Sequence, residues 1–396
     1  MLPLLTPERA RALLSPSVRV LVASADDECG VAHAHVLPWH DVHWPTLVSL
    51  TSFERAEAQV FRLLSAAPER EVPDDVVKSM QSLSRVAAFR AAEFADAAGA
   101  AADAFRDAGL TALWLKGAAL AMQSAEGFAL RGMGDLDVLV TTAELAIARA
   151  SLKSVGWRDG VPGESYAGHH HDAPLFWRGG IRLELHTALF PPGNPFPAEA
   201  AETWIGRGRV QAWSNRQVLV LPLPWHLVHA SVHWAWNHEG AVGTWQFLHD
   251  IRRLTAGLLP GSDVWDQVES HARTIDAALP TGWALWAYSI LGYSSSVDRV
   301  LVSSLRGADR RLLGFVEREW ILRAFFSPAA SPSVRWSRYW WRRAMGGLGD
   351  AGEKWPWTAG RAPLSEVEQS IPEGRSTRAV DAAAKWRRHL SRVLRG

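Results

Sequence analysis

Apolar residues recur three and four apart from Trp44 to Leu64, which predicts a helix. The following APEREVPDD (67–75) holds two prolines and reads as a linker. Residues 76–107 predict one long amphipathic helix rich in Ala and Arg, with Gly109 as its stop. A short apolar strand over Thr111–Leu115 then meets Lys116-Gly117, and a second helix is expected from Ala118. MGDLDVLV (133–140) alternates as a strand does, with Asp135 and Asp137 on one face and Leu136 and Val138 on the other. Thr141 or Thr142 caps a helix running to about Val155, where Gly156 ends it. PLFWR and IRLELH flank Gly179-Gly180 and predict a hairpin over 174–190. In its second strand Ile181, Leu183 and Leu185 share one face, and Arg182, Glu184 and His186 the other. Residues 198–330 read as mostly helical, and no internal repeat is evident.

This pattern predicts an α+β protein: a core with a mixed sheet over 76–215, a mostly helical segment over 1–75, and a helical domain over 216–330. A tail over 331–396 ends in a basic amphipathic helix. The chain of 396 residues has one cysteine, Cys29, which excludes a disulfide framework and a multi-cysteine zinc site. No apolar run reaches the ~18 residues needed to span a bilayer. Pro3, Pro7 and nearby charges leave no signal-peptide core, so a cytoplasmic location is expected. The tail carries 13 Lys and Arg against 6 Asp and Glu, so the remainder, core included, is slightly acidic. A core that is not basic argues against a long nucleic acid gripped by many phosphates, leaving only the tail as a wall for one. The 21 tryptophans suit core filling, or the lining of a peptide or sugar groove.

Asp135 and Asp137 lie side by side on a strand and repel unless a cation bridges them. Mg²⁺ is the natural one, being hard and oxygen-seeking. Glu184 joins them if its strand is the neighbour, and such a cluster can hold two ions about 3.5–4 Å apart. Gly117 follows a strand and opens a helix, where free backbone N–H groups favour phosphate. Lys116, in the apolar run LWLKGAAL, needs an anionic partner that a triphosphate would supply. Arg131 is placed to clamp a phosphate oxygen.

The ordered set LWLKGAALA, LRGMGDLDVLV, HHHDAPLFW and IRLELHTALF resembles the uncharacterised bacterial nucleotidyltransferase family of the polymerase-β-like superfamily. The resemblance covers roughly residues 44–255. It implies Asp135, Asp137 and Glu184 as catalytic, metal-binding carboxylates, with Glu184 as a candidate base for an acceptor hydroxyl. It implies Lys116, Gly117, Ala118 and Arg131 as the nucleotide-binding set. Gly117-Ala118 stands where the superfamily has Gly-Ser or Gly-Gly, which removes a hydroxyl and keeps the backbone donors. His171 and Asp250 match recurring family positions, as an acceptor contact and as a residue orienting the site. His186 shares the Glu184 face and is a further candidate.

The expected activity is transfer of NMP from an NTP, ATP first, to a hydroxyl or phosphate of a small-molecule or peptide acceptor. Pyrophosphate leaves, with Mg²⁺ in two sites. The implied setting is natural-product or surface-polysaccharide biosynthesis. The rival readings are a toxin-like transferase acting on tRNA or protein, and a non-catalytic binding module. His229 and His233, one helical turn apart, suit zinc only with a third ligand that no spacing supplies, and core packing is favoured.

Overall fold

The computed structural model describes residues 7–297, apart from 27–28, 161–169, 192–195, 197–198, 239, 241–242 and 293–296. His169, the end of the expected helical domain and the basic tail lie outside the described residues. Five helices come first: α1 (Pro7–Leu13), α2 (Pro16–Ser24), α3 (Cys29–Ala32), α4 (Trp44–Glu54) and α5 (Glu57–Ser65). The long α6 (Asp74–Asp107) leads into β1 (Leu113–Trp114), α7 (Lys116–Gln123), β2 (Asp135–Leu139) and α8 (Leu145–Ser154). Then come β3 (Arg158–Asp159), β4 (Leu175–Phe176), β5 (Arg182–His186), α9 (Ala201–Arg207), β6 (Arg209–Trp213) and β7 (Arg216–Val220). Helices α10 (Leu223–Val232), α11 (Thr244–Leu254), α12 (Asp263–Thr274) and α13 (Ala278–Leu291) complete the described part.

The strands form one mixed sheet in the order β3-β4-β5-β2-β1-β7-β6. Strands β2 and β5 pair in parallel, β1 pairs antiparallel with β2, and β7 runs parallel to β1. The alternation in β2 and β5 is obeyed. Leu136, Val138, Leu183 and Leu185 enter a core with Phe94, Ala97, Ala101 and Phe105 of α6 and Ala148 and Leu152 of α8. Leu113 and Leu139, on the opposite face, join a second core built from the N-terminal helices and α10–α13. Tryptophan fills both: Trp114 and Trp157 lie in the first, Trp245, Trp265 and Trp283 in the second.

At 34 residues α6 is about 51 Å long. Its end is set by Gly109, at φ +68°, and by the Leu110 N–H reaching back to the Phe105 carbonyl at 2.9 Å. The helical pattern of 44–64 divides into α4 and α5, because Arg55 adopts a left-handed φ of +55° between them. Thr141 Oγ1 accepts the Glu144 N–H at 3.2 Å as a cap does, and the helix proper begins at Leu145. Residues 209–220, expected to be helical, form the hairpin β6–β7 instead. Its signal was the alternation of RVQAW and RQVLV about Ser214-Asn215, a two-residue turn with Ser214 at φ +51°.

Helix α11 is tied to the N-terminal helices by three buried bonds. Glu54 Oε2 accepts the Trp245 N–H at 3.1 Å, Ser24 Oγ accepts from Trp245 Nε1 at 3.0 Å, and His249 Nδ1 lies 3.2 Å from the Ala25 carbonyl. Burial pushes the Glu54 carboxyl up to about 7, although the Trp245 N–H and the Arg55 charge favour its ionised form. The folded protein therefore binds this proton more tightly than the unfolded chain. Stability falls as pH rises from the ordinary carboxyl range through about 7, by about 3 kcal/mol at most. Glu54→Gln is expected to be more stable than the parent at pH 8 and close to it at pH 5. Urea unfolding at the two pH values checks this, and an equal difference at both would refute it.

Candidate functional site

The site grows from the junction of β1, α7, β2 and β5. Because β2 and β5 are parallel and in register, Asp137 stands opposite Glu184 and Asp135 opposite Arg182. Neighbouring strands lie about 4.8 Å apart, so the three acids share one patch of sheet. Asp137 Oδ1 accepts from Lys116 Nζ at 2.7 Å and from His186 Nε2 at 2.8 Å. The carboxylate can only accept, so His186 carries its hydrogen on Nε2. Glu184 Oε1 is paired with Arg182, and Glu184 Oε2 lies 3.6 Å from His186 Nε2 and 3.9 Å from His171 Nε2. His171 faces His186 across an isolated antiparallel bridge, and its Nδ1 meets the Asp172 carbonyl at 3.0 Å.

Charge explains this arrangement. Burial alone would raise the Asp137 pKa, but Lys116 and His186 hold it well below the usual carboxylate range. Asp135 goes the other way. Burial and the Asp137 charge raise it, only partly opposed by Lys116, Arg182 and Arg55. Asp135 makes no hydrogen bond or ion pair among the described residues. Burial likewise pushes the His186 pKa down, so its ring is neutral. Lys116 supplies the cation that the side-by-side aspartates require, and it does so from a left-handed backbone, φ +47°. Such a conformation costs a non-glycine residue about 1 kcal/mol or more.

Asp137, Glu184 and His186 each offer a ligand atom, all within 4.8 Å of one another, and this group could hold a metal ion. It differs from the carboxylate set read from the sequence, since His186 takes the place of Asp135. Use of His186 Nε2 as a ligand would shift its hydrogen to Nδ1, which is buried without a partner.

Arg131 is occupied from another direction. Its Nε and Nη2 reach Asp250 Oδ1 and Oδ2 of α11 at 2.6 and 2.8 Å, a two-pronged ion pair with both side chains nearly buried. The guanidinium lies against Gly117, where a Cβ would come within 2.3 Å of Nη1. Gly117 thus makes room for Arg131 at the start of α7. The Ala118 side chain enters the core with α6, so only its backbone faces the turn. Gln246 Nε2 holds the Gly132 carbonyl at 3.2 Å. Arg55 packs over the same loop: a Cβ on Gly132 would meet its carbonyl oxygen at 2.3 Å, and one on Gly134 its Nη1 at 2.7 Å.

His226 and His229 of α10 are buried and His233 just beyond it is half-buried, and desolvation lowers all three pKa values. The rings of His229 and His233 are 6.1 Å apart, and no metal-binding group forms about them among the described residues. Arg55 and Arg182 are the members that sequence reasoning missed. The alternation of IRLELH placed Arg182 on the Glu184 face, which was a usable signal. Arg55 sits inside a continuous helical pattern and gave none.

Because Gly117 and Asp250 act on the same guanidinium, Gly117→Ala and Asp250→Asn are expected to be non-additive. Each should lower stability by about 3 kcal/mol, the scale of breaking a buried ion pair. The double variant should lose little more than either single one, as measured by denaturant unfolding. Additive losses would show that Gly117 does not act through Arg131.

No curated protein and no solved structure matches the chain. A family model described as uncharacterised nucleotidyltransferase matches residues 40–291, from just before α4 to the end of α13. That span takes in the acid-bearing strands, the Lys116-Gly117 turn and the helix that holds Arg131, and the chain belongs to this nucleotidyltransferase family.

Proposed function

We propose that the protein transfers NMP from an NTP, with ATP as the leading donor, to a hydroxyl or phosphate of a small-molecule or peptide acceptor, releasing pyrophosphate. The observation that carries this reading is the β2–β5 register, which sets Asp137 against Glu184 beside the Lys116-Gly117 turn. The two carboxylates fit a hard divalent cation such as Mg²⁺ or Mn²⁺, while the imidazole beside them suits a softer ion such as Zn²⁺. When bound, such an ion would polarise the phosphoryl oxygens and neutralise charge on the departing pyrophosphate. A second ion would draw on Asp135, the remaining carboxylate of that face.

The chain's own residues divide the remaining work. The first N–H groups of α7 lack intrahelical partners and suit phosphate oxygens. Lys116 neutralises Asp137 before substrate arrives and lies at the same turn to meet a phosphate afterwards. Asp135 has no donor of its own, whereas Glu184 is engaged by Arg182. Asp135 is therefore the better-placed group to take a proton from an acceptor hydroxyl. His186 and His171 lie beside Glu184, whose hydrogen bond is to Arg182. Arg131, bound to Asp250, shapes the turn rather than reaching for phosphate on its own. Among the described residues no helix is long and apolar enough to cross a membrane.

Thermal-shift measurements with ATP, GTP, CTP and UTP, each with and without Mg²⁺, test the reading. Metal-dependent stabilisation by a nucleotide is expected, and its loss in Asp137→Asn. No stabilisation by any nucleotide would favour the binding-module alternative. Asp137→Ala is expected to lose about 3 kcal/mol of stability along with activity, because it strands the Lys116 ammonium in a mostly buried site. Asp137→Asn should unfold less readily than Asp137→Ala and still release no pyrophosphate. Undiminished pyrophosphate release by Asp137→Asn would overturn the mechanism.

A further inference from the structure

A cleft of about 280 Å³ lies between α5, α6 and the loop that leads into β2, and it ends at Gly134, one residue before Asp135. Its size is close to the low end of small-ligand pockets, about 300–1,000 Å³. Three polar side chains line it at every second position: Arg55, Glu57 and Gln59. The Arg55 backbone N–H caps α4 on the Thr51 carbonyl, but its guanidinium makes no hydrogen bond or ion pair among the described residues, although it packs over Gly134. The Glu57 carboxylate accepts from its own backbone N–H and feels the Arg55 charge, with no hydrogen bond to another side chain among the described residues. Gln59 is 3% exposed, yet neither its amide oxygen nor its amide nitrogen has a partner. A buried amide left unpaired is unfavourable and is met by a partner that supplies both a donor and an acceptor. The other arginines of the lining are committed, Arg131 to Asp250 and Arg90 to Glu93 and the Gly179 carbonyl. Val86, Phe94, Phe128 and Met133 supply an apolar wall.

A cation, an anion and an unpaired amide beside an apolar wall match a zwitterion with an apolar body. We infer that this cleft is the acceptor subsite and that it takes an amino-acid-class acceptor, its carboxylate on Arg55, its ammonium on Glu57 and its apolar side chain against Val86 and Phe128. The inference rests on the transferase reading for the word acceptor, while the binding site stands on the cleft alone. With the carboxylate on Arg55, a hydroxyl on the adjacent carbons would lie toward Asp135.

The test uses the full chain and 3-phenylserine, which carries the carboxylate, ammonium, hydroxyl and apolar ring together. Its comparators are 2-amino-1-phenylethanol, without the carboxylate, and 3-hydroxy-3-phenylpropionate, without the ammonium. Titration calorimetry without nucleotide should rank 3-phenylserine as the tightest. Arg55→Gly, which suits the left-handed backbone at that position, should weaken 3-phenylserine roughly tenfold or more and leave the carboxylate-free compound unchanged. Glu57→Gln should do the same toward the compound that lacks the ammonium. Absence of 3-phenylserine binding, equal binding of all three compounds, or an Arg55→Gly loss shared by all three would each overturn the proposal. Nucleotide binding is read separately by thermal shift. Charge-selective 3-phenylserine binding without nucleotide binding would uphold the cleft and remove the transferase reading. Nucleotide binding without 3-phenylserine binding would do the reverse.

Discussion

Burying three carboxylates on one face of a sheet is unfavourable unless positive charge meets them, and that requirement governs the arrangement around residues 116–186. Asp137 carries the largest share. It stands directly opposite Glu184 in the parallel pair and is nearly enclosed, yet it stays ionised because Lys116 and His186 converge on one of its oxygens. Arg182 is paired with Glu184. Asp135 is left with the charges of Lys116, Arg182 and Arg55 at a distance and no donor in contact, and its proton affinity rises. Three acids that look equivalent in the sequence are thus made unequal by their neighbours. Separating the proton affinities of paired acids is how a fold assigns them different chemical tasks.

The same accounting shows why Lys116 tolerates a left-handed backbone. An ammonium in an apolar run is costly, and a strained turn adds about 1 kcal/mol or more. Both are offset when the turn delivers Nζ to Asp137. Gly117, next in the chain, is needed for a different reason. It gives the Arg131 guanidinium space to lie over the start of α7 while it grips Asp250. A glycine at a strand-to-helix turn is commonly read as a phosphate-binding device. Here it is first a packing device, and the free N–H groups of α7 come with it.

Much of this was legible in the sequence because alternation is a local property. DLDVLV and RLELH each show which residues share a face, and the hydrophobic partners obey that reading. Whether the two strands are neighbours is not local, and it depended on the register of segments far apart in the chain. The carboxylate partners of Lys116 and Arg131 are out of sight in the sequence for the same reason. A buried cation without a visible anion invited a phosphate, while the actual anions sit 21 and 119 residues away. Asp250 was noticed through family resemblance alone. Arg55 could not be noticed, since its left-handed φ, which splits one helical pattern into two, leaves no mark in hydrophobic periodicity. The β6–β7 hairpin was missed because an edge strand exposed on both sides has weak alternation.

The loop Arg131-Gly132-Met133-Gly134 shows how the helical layer sets the geometry of the acids. Helix α11 holds it twice, through Asp250 on Arg131 and Gln246 on the Gly132 carbonyl. Arg55, at the end of α4, lies over Gly132 so closely that no side chain fits there, and a side chain at Gly134 would displace its guanidinium. Glu54, the residue before Arg55, binds the first turn of α11. Two helices from opposite parts of the chain are therefore joined to each other and to the loop from which β2 starts. A change in their packing would move Asp135 before it moved Asp137, because Asp137 is anchored inside the sheet by Lys116 and His186. Asp135, the least constrained of the acids, directly follows Gly134, the last residue of the loop that lines the cleft beside α5. Its position is thus the one through which the helical layer, by way of the loop ending at Gly134, would most directly act on the chemistry of the sheet.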